Sequence, residues 1–270
     1  MTISALSRLS LNQMTTEKCS LQETVDACAR EGVDWIGAWR HKIEPAATAA
    51  KIIHNAGLRV SSLCRGGFFP AATNKERKER IEDNLRAIDE AAALSTDLLV
   101  LVCGPAPDRD LVSARAMVVD GLSQIVDHAK TSGVRLGSEP LHPMYAAERS
   151  VVVTLNQANE IAALFDAATV GVVVDVYHVW WDPRVYIEIA RAGRRIFAFH
   201  VSDWLVPTKS LLTSRGLMGQ GVIEIHRLRQ AVEEAGYDGP IEVEIFNEEV
   251  WQMPVRETIQ KVRAGYLEAV

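Results

Sequence analysis

Cysteine is sparse in this chain: four in 270 residues, at Cys19, Cys28, Cys64 and Cys103, all in the first half and none in C-x-x-C spacing. That spacing argues against a structural zinc site, and the thiols read as reduced ones, as in a cytoplasmic enzyme. An excess of positive charge is also missing. The formal net charge is −6 and the two signs are mixed along the chain, which leaves no general nucleic-acid footprint and no nucleic-acid partner to expect. Met1–Arg8 contains no long uncharged apolar stretch, so neither a signal peptide nor a membrane span is expected. No Pro/Ser-rich linker and no low-complexity segment divides the chain. Gly219-Gln-Gly221 is half of a dinucleotide fingerprint, but position 224 is Glu rather than a third glycine and no strand directly precedes it. A nicotinamide site is therefore excluded.

What is present is a regular alternation of apolar runs and helical patterns. With 48% hydrophobic residues the chain can bury a large core. The patterns predict strands near 7–12, 33–38, 58–63, 97–103, 134–139, 170–175, 196–201 and 240–245. Helices are predicted near 20–31, 45–56, 74–94, 110–132, 154–166, 183–193, 223–235 and 256–268. From Asn74 to Leu94, Ile81, Leu85, Ile88 and Ala92 share one face with Lys and Glu opposite. Thr154 stands where an N-cap belongs, and Gly57, Gly133 and Gly193 fall where a helix should stop before the next strand. Eight βα units without a linker describe an α/β chain folded as one (β/α)8 barrel over residues 1–270, rather than a two-domain doubly wound sheet.

Four successive apolar runs in the second half end in metal-ligand side chains: Val134–Glu139, Val170–Asp175, Ile196–His200 and Ile241–Glu244. In such barrels chemistry collects at the C-terminal ends of the strands, and Glu139, Asp175, His200 and Glu244 all lie there. Each alone reads as well as a helix cap, an ion-pair partner or a satisfied core histidine. As a set they form a site, because unpaired acids at the end of an apolar barrel would repel one another and resist burial. Three carboxylates and one imidazole suit a single divalent ion, Mn²⁺, Mg²⁺ or Co²⁺, with Zn²⁺ compatible. Glu242 shares a strand face with Glu244 by the period of two; Glu244 is taken as the ligand because it lies nearer the strand's end.

Other side chains cluster at the same mouth. His142, on the stiff Glu139-Pro-Leu-His-Pro143 loop, reads equally as a substrate contact or a local backbone cap. His178 follows Asp175 by three residues and is read as functional. Trp180 and Trp181 follow on the same loop and could stack on a substrate ring, although large aromatics more often seal a barrel mouth or a subunit interface. Trp39 closes the second strand. Arg65, beside Gly66-Gly67, suits a substrate carboxylate, phosphate or hydroxyl. Asp203 is placed to orient a ligand from behind, and Cys64 and Cys103 read as small barrel-filling residues.

Glu139-Pro140, Asp175-x-x-His178, His200 followed by Asp203, Gly219-x-Gly221 and Glu244-x-Phe246 resemble the sugar isomerase/epimerase branch of the xylose-isomerase-like barrels, a superfamily shared with endonuclease-IV-type nucleases. The resemblance implies that Glu139, Asp175, His200 and Glu244 bind one divalent metal and that the two glutamates act as proton donor and acceptor. It also implies that His178 and Arg215 hold substrate oxygens. The nuclease pattern of an Asp-x-His pair before the Gly-x-Gly is absent, since Thr213-Ser-Arg215 stands there, and Cys64-Arg65 and Cys103-Gly104 replace that branch's histidines. A three-metal phosphodiester site cannot be built from these residues.

The function so implied is metal-dependent isomerisation or epimerisation of a ketose or keto-polyol. The cation stabilises an enediolate, and Glu139 and Glu244 remove and return the proton, in an order left open. A lyase or dehydratase acting on a keto-sugar, keto-inositol or 3-keto-glycoside through the same enolate is the alternative. A barrel that binds without turnover has no need of two glutamates beside a metal. The exposed aromatics and the habits of such barrels suggest a homodimer or homotetramer.

Overall fold

The computed structural model describes residues 6–43 and 45–270; Met1–Ala5, part of the N-terminal stretch read for targeting, lies outside the described residues. Eight parallel strands close into a barrel: β1 (Leu9–Asn12), β2 (Trp35–Trp39), β3 (Arg59–Gly67), β4 (Leu98–Val102), β5 (Arg135–Glu139), β6 (Val170–Asp175), β7 (Ile196–Val201) and, after a small antiparallel pair formed by β8 (Asp203–Trp204) and β9 (Arg215–Gly216), β10 (Ile241–Val243). Neighbours run in the order β1-β10-β7-β6-β5-β4-β3-β2. Around them lie α1 (Leu21–Glu31), α2 (Ala46–Asn55), α3 (Asn74–Ala93), α4 (Leu111–Thr131), α5 (Leu155–Ala162), α6 (Val176–Val179), α7 (Val185–Ala192), α8 (Ile225–Glu234) and α9 (Val255–Ala269). The expected (β/α)8 barrel is the observed one. No helix among the described residues is long and apolar enough to cross a membrane.

Strands β4, β6 and β7 read as nearly unbroken apolar runs because both faces are buried. Leu99, Leu101, Val172 and Val174 pack outward into the helices, whereas Leu98, Val100 and Val173 alternate with them and form a separate cluster with Cys64, on which Trp39 packs. Local chemistry starts the helices, with the Thr154 cap as expected. Ser20 with Glu23 and Thr73 with Glu76 make capping boxes, and the Thr154 side chain accepts from the Gln157 amide.

Three departures matter for the site. β3 runs on to Gly67, so Arg65 sits within a strand rather than after it. The single turn α6 carries His178, too short for its period to register in the sequence. Finally, α5 stops at Ala162 instead of near 166, where the Arg195 guanidinium takes up the carbonyls of Ala162 and Phe165 at 2.8 and 3.0 Å.

Candidate metal centre and active-site cleft

Strand register assembles the centre. β6 and β7 pair Asp175 with His200, β10 and β7 pair Glu242 with His200, and Glu139 is the last residue of β5. Glu244 follows one residue beyond β10. One ligand atom from each of Glu139, Asp175, His200 and Glu244 lies within 4.8 Å of the other three, and all four residues are buried. Atoms that each sit about 2.0–2.6 Å from one ion lie within about 5 Å of one another, so this spacing is compatible with a coordination shell.

The donor atoms themselves test the fit. Glu139 Oε1 and both ring nitrogens of His200 are buried without a hydrogen-bond partner, a condition that costs about 1–3 kcal/mol per group. His200 Nδ1 faces Glu139 Oε1 at 3.4 Å, and Nε2 faces Glu242 Oε1 at 3.8 Å. Nδ1 is therefore the nitrogen turned to the cluster, with Glu242 behind the ring to orient it. A divalent cation among these oxygens and Nδ1 would satisfy Glu139 Oε1 and His200 Nδ1, and the donor set is one that hard and borderline ions accept.

Glu242 stays out of the cluster because other groups hold it. Its Oε1 accepts from Asn12 Nδ2 at 2.6 Å, and its Oε2 from Ser61 and Ser62 hydroxyls at 2.7 and 2.9 Å. The same Asn12 Nδ2 reaches Glu244 Oε1 at 3.2 Å, and Asn12 Oδ1 accepts from the Trp39 indole at 2.9 Å.

Charge is balanced by a buried arginine. Arg215 Nη1 donates to Asp175 Oδ2 at 2.9 Å and to Glu244 Oε2 at 3.0 Å, and its Nη2 lies 3.1 Å from His178 Nε2. Burial works to raise Asp175, but Arg215, with His178 and His200, holds it below the ordinary carboxylate range. Burial prevails at Glu244, which is pushed up to about 8 against the pull of Arg215. Glu139 is likewise raised by burial, against its contact with His200. Burial works to lower His200, but Glu242, Glu139 and Glu244 together carry it to about 10. His178 drops to about 3 through burial and is a neutral imidazole.

Above the cluster opens a narrow cleft whose lining includes Glu139, Glu244, Trp39, Arg65, His178 and Arg215. Two of the sequence's substrate-contact candidates lie off that lining. His142 uses Nδ1 to cap the Met144 amide and its ring packs on Trp181 and Trp204. Trp180 packs against Trp204. Asp203, expected to orient a ligand, instead accepts from the backbone amides of Trp204, Gly219, Gly221 and Ile223 at 2.8–3.0 Å. It therefore organises the loop that carries Arg215. This also accounts for the Gly-x-Gly: Gly219 has φ +86°, and a Cβ at Gly221 would collide with the Trp204 carbonyl and the Asp203 carboxylate. Sequence reasoning missed Asn12, Tyr145 and Arg149. Asn12 closes an apolar strand just as the four ligand-type residues do; Tyr145 and Arg149 stand on an irregular loop with no such signal.

The chain belongs to the xylose isomerase-like TIM barrel family, whose model matches residues 25–267. Among characterised relatives it is 30% identical over 191 residues to the 3-dehydroshikimate dehydratase of Pseudomonas aeruginosa, covering 67% of this chain and 29% of that one; the match thus spans under a third of that enzyme. It is 25% identical over 279 residues to the inosose isomerase of Halalkalibacterium halodurans, covering 97% and 96%. Two solved structures share the fold end to end. A protein from Sinorhizobium meliloti 1021 is 45% identical with a TM-score of 0.95, covering 98% of each chain. The IOLI protein, solved with a zinc atom, is 23% identical with a TM-score of 0.86, covering 97% and 98%.

Proposed function

We propose that this chain is a divalent-metal-dependent isomerase or epimerase of a ketose or keto-polyol. The observation that carries the reading is the buried cluster of three carboxylates and one imidazole, with orphaned donor atoms, at the floor of a cleft. Its similarity to an inosose isomerase over nearly its full length supports the substrate class, and the zinc of the IOLI protein supports a metal at such a centre.

A divalent cation bound there would act as a Lewis acid on a substrate carbonyl and acidify the neighbouring C–H. The proton transfers belong to Glu139 and Glu244, the two cluster carboxylates that line the cleft. One takes the proton from the carbon beside the carbonyl. The other returns a proton, to the opposite face for epimerisation or to the adjacent carbon for isomerisation. Arg215 holds Asp175 and Glu244 in place, and the neutral His178, whose ring nitrogens face the His142 amide and Arg215, closes the cleft wall beside it.

A second reading rests on the similarity to the dehydratase: the same proton is removed, and a hydroxyl on the next carbon leaves as water after protonation by the second glutamate. Proton NMR in D₂O of the Mg²⁺-loaded protein with ketoses, keto-inositols and cyclic keto-acids separates the two. Isomerisation exchanges a C–H beside a carbonyl and yields a new epimer or isomer; dehydration yields an alkene. Glu244→Gln should abolish either signal. Turnover in the presence of chelator, or an unaltered rate in that variant, would overturn the mechanism.

A further inference from the structure

The arginines around the cleft fall into two groups. Arg215 spends its charge on Asp175 and Glu244. Arg40, in the adjoining cleft, is bonded to Asp83 and Glu90 at 2.6–3.0 Å. Arg65 and Arg149, which both line the cleft over the cluster, have no carboxylate partner and no side-chain hydrogen bond among the described residues. Each guanidinium instead lies against an aromatic ring, Arg65 over Phe68 at 4.0 Å and Arg149 over Tyr145 at 5.5 Å. Tyr145 is itself tied down by its hydroxyl, which donates to the Leu211 carbonyl at 2.6 Å. Stacking of this kind fixes the plane of a guanidinium and leaves its N–H edge free.

Two half-buried like charges without counter-ions are an expensive arrangement. Burial, with the added repulsion of Arg149, holds Arg65 below its ordinary range. The chain has 35 acidic residues to 29 basic ones, and none of the acids among the described residues pairs with either arginine. We infer that Arg65 and Arg149 together hold an acidic group of the substrate, a carboxylate or a phosphate, beside the proposed metal centre. The planar fork of a guanidinium matches either group. Arg65 also lines the adjoining cleft with Trp39, Gly66 and Gly67, so the acidic group sits to the side of the reacting carbons. The proposed substrate class thus narrows to ketoses or keto-polyols that carry an acidic group; this deepens the proposed reading and rests on it for the reacting end only.

The test uses the Mg²⁺-loaded protein and two probes, inorganic phosphate and acetate, followed by titration of tryptophan fluorescence. Binding through the metal alone would survive changes at either arginine. Arg65→Gln and Arg149→Gln should each weaken the tighter anion by about tenfold, as expected for loss of one charge-assisted contact, and the double variant more. Phosphate binding tighter than acetate would point to a phosphoryl group, and the reverse to a carboxylate. No saturable binding by the wild type, or equal affinity in the double variant, would overturn the inference. A kinetic arm keeps the two proposals apart. If anion binding depends on the arginines while no compound exchanges its C–H, the anion site stands and the isomerase reading fails. If neutral and acidic keto compounds exchange with equal kcat/KM, the isomerase reading stands and the anion site fails.

Discussion

Asn12 is the residue on which the two inward-pointing glutamates of one strand depend. Glu242 and Glu244 are two positions apart and share a face, and Asn12 Nδ2 donates to both, while its Oδ1 accepts from the Met14 amide and the Trp39 indole. Its four bonds separate two carboxylates of opposite purpose, one backing His200 and one facing the cleft. Asn12→Ala removes the shared donor and leaves buried oxygens unpaired. The expected cost is about 1–3 kcal/mol of folding free energy, read from the denaturant midpoint, with weakened metal binding alongside; an unchanged midpoint would show that water or repacking replaces the amide. The four ligand-type residues were legible because each closes an apolar run with a side chain that can hold a cation. Asn12 closes Leu9–Asn12 in the same way, but an amide does not announce itself as a ligand. Arg149 carried no such mark, and only the folded loop brings it to the cleft that Arg65 lines.

The segment from Asp203 to Ile223 is the least repetitive part of the barrel and the one that delivers Arg215. Asp203 gathers four backbone amides of this segment, and β9 pairs Arg215 with Trp204 of β8. Gly221→Ala places a methyl group against the Trp204 carbonyl and the Asp203 carboxylate, so the loop must shift and Arg215 with it. Since small displacements at a catalytic site cost about 10²-fold in rate, kcat should fall steeply while the far-ultraviolet dichroism of the barrel is kept. Wild-type kcat in Gly221→Ala would show that the loop does not position the arginine. Strands β4, β6 and β7 were the most readable because burial on both faces leaves them almost wholly apolar. The β8–β9 pair and α6 were not readable, since two-residue strands and a single turn complete no period. The extension of β3 was hidden because Cys64-Arg-Gly-Gly67 shows neither alternation nor β-branched residues.

Across the whole molecule, barrel closure forces like charges together, and the protonation state of the cluster couples metal uptake to stability. In the metal-free chain Glu244, at about 8, and Glu139 sit above the ordinary carboxylate value of 4.5, and His200, at about 10, sits above the ordinary imidazole value of 6.5. Groups raised on folding take up protons. Their stabilisation is therefore full at low pH and is lost as pH rises, for Glu244 from 4.5 through about 8. Asp175, held low by Arg215 against its burial, runs the other way and loses its contribution as pH falls below the ordinary range. A bound cation needs Glu139 and Glu244 as carboxylates and His200 neutral, so binding releases protons and tightens as pH rises. The thermal midpoint of the Mg²⁺-loaded protein should therefore pull away from that of the metal-free protein as pH climbs through the Glu244 window. A gap that narrows instead would contradict this picture of the cluster.

The centre itself is tested most directly by titrating the metal-free protein with Mn²⁺ and following the free ion by electron paramagnetic resonance. One ion should bind per chain. Asp175→Asn, which keeps an oxygen to cap α6, should weaken binding by well over tenfold, since even groups behind the ligands are worth 10–100-fold. No stoichiometric binding by the wild type, or unchanged affinity in both Asp175→Asn and Glu244→Gln, would show that the four strand ends do not form a metal centre.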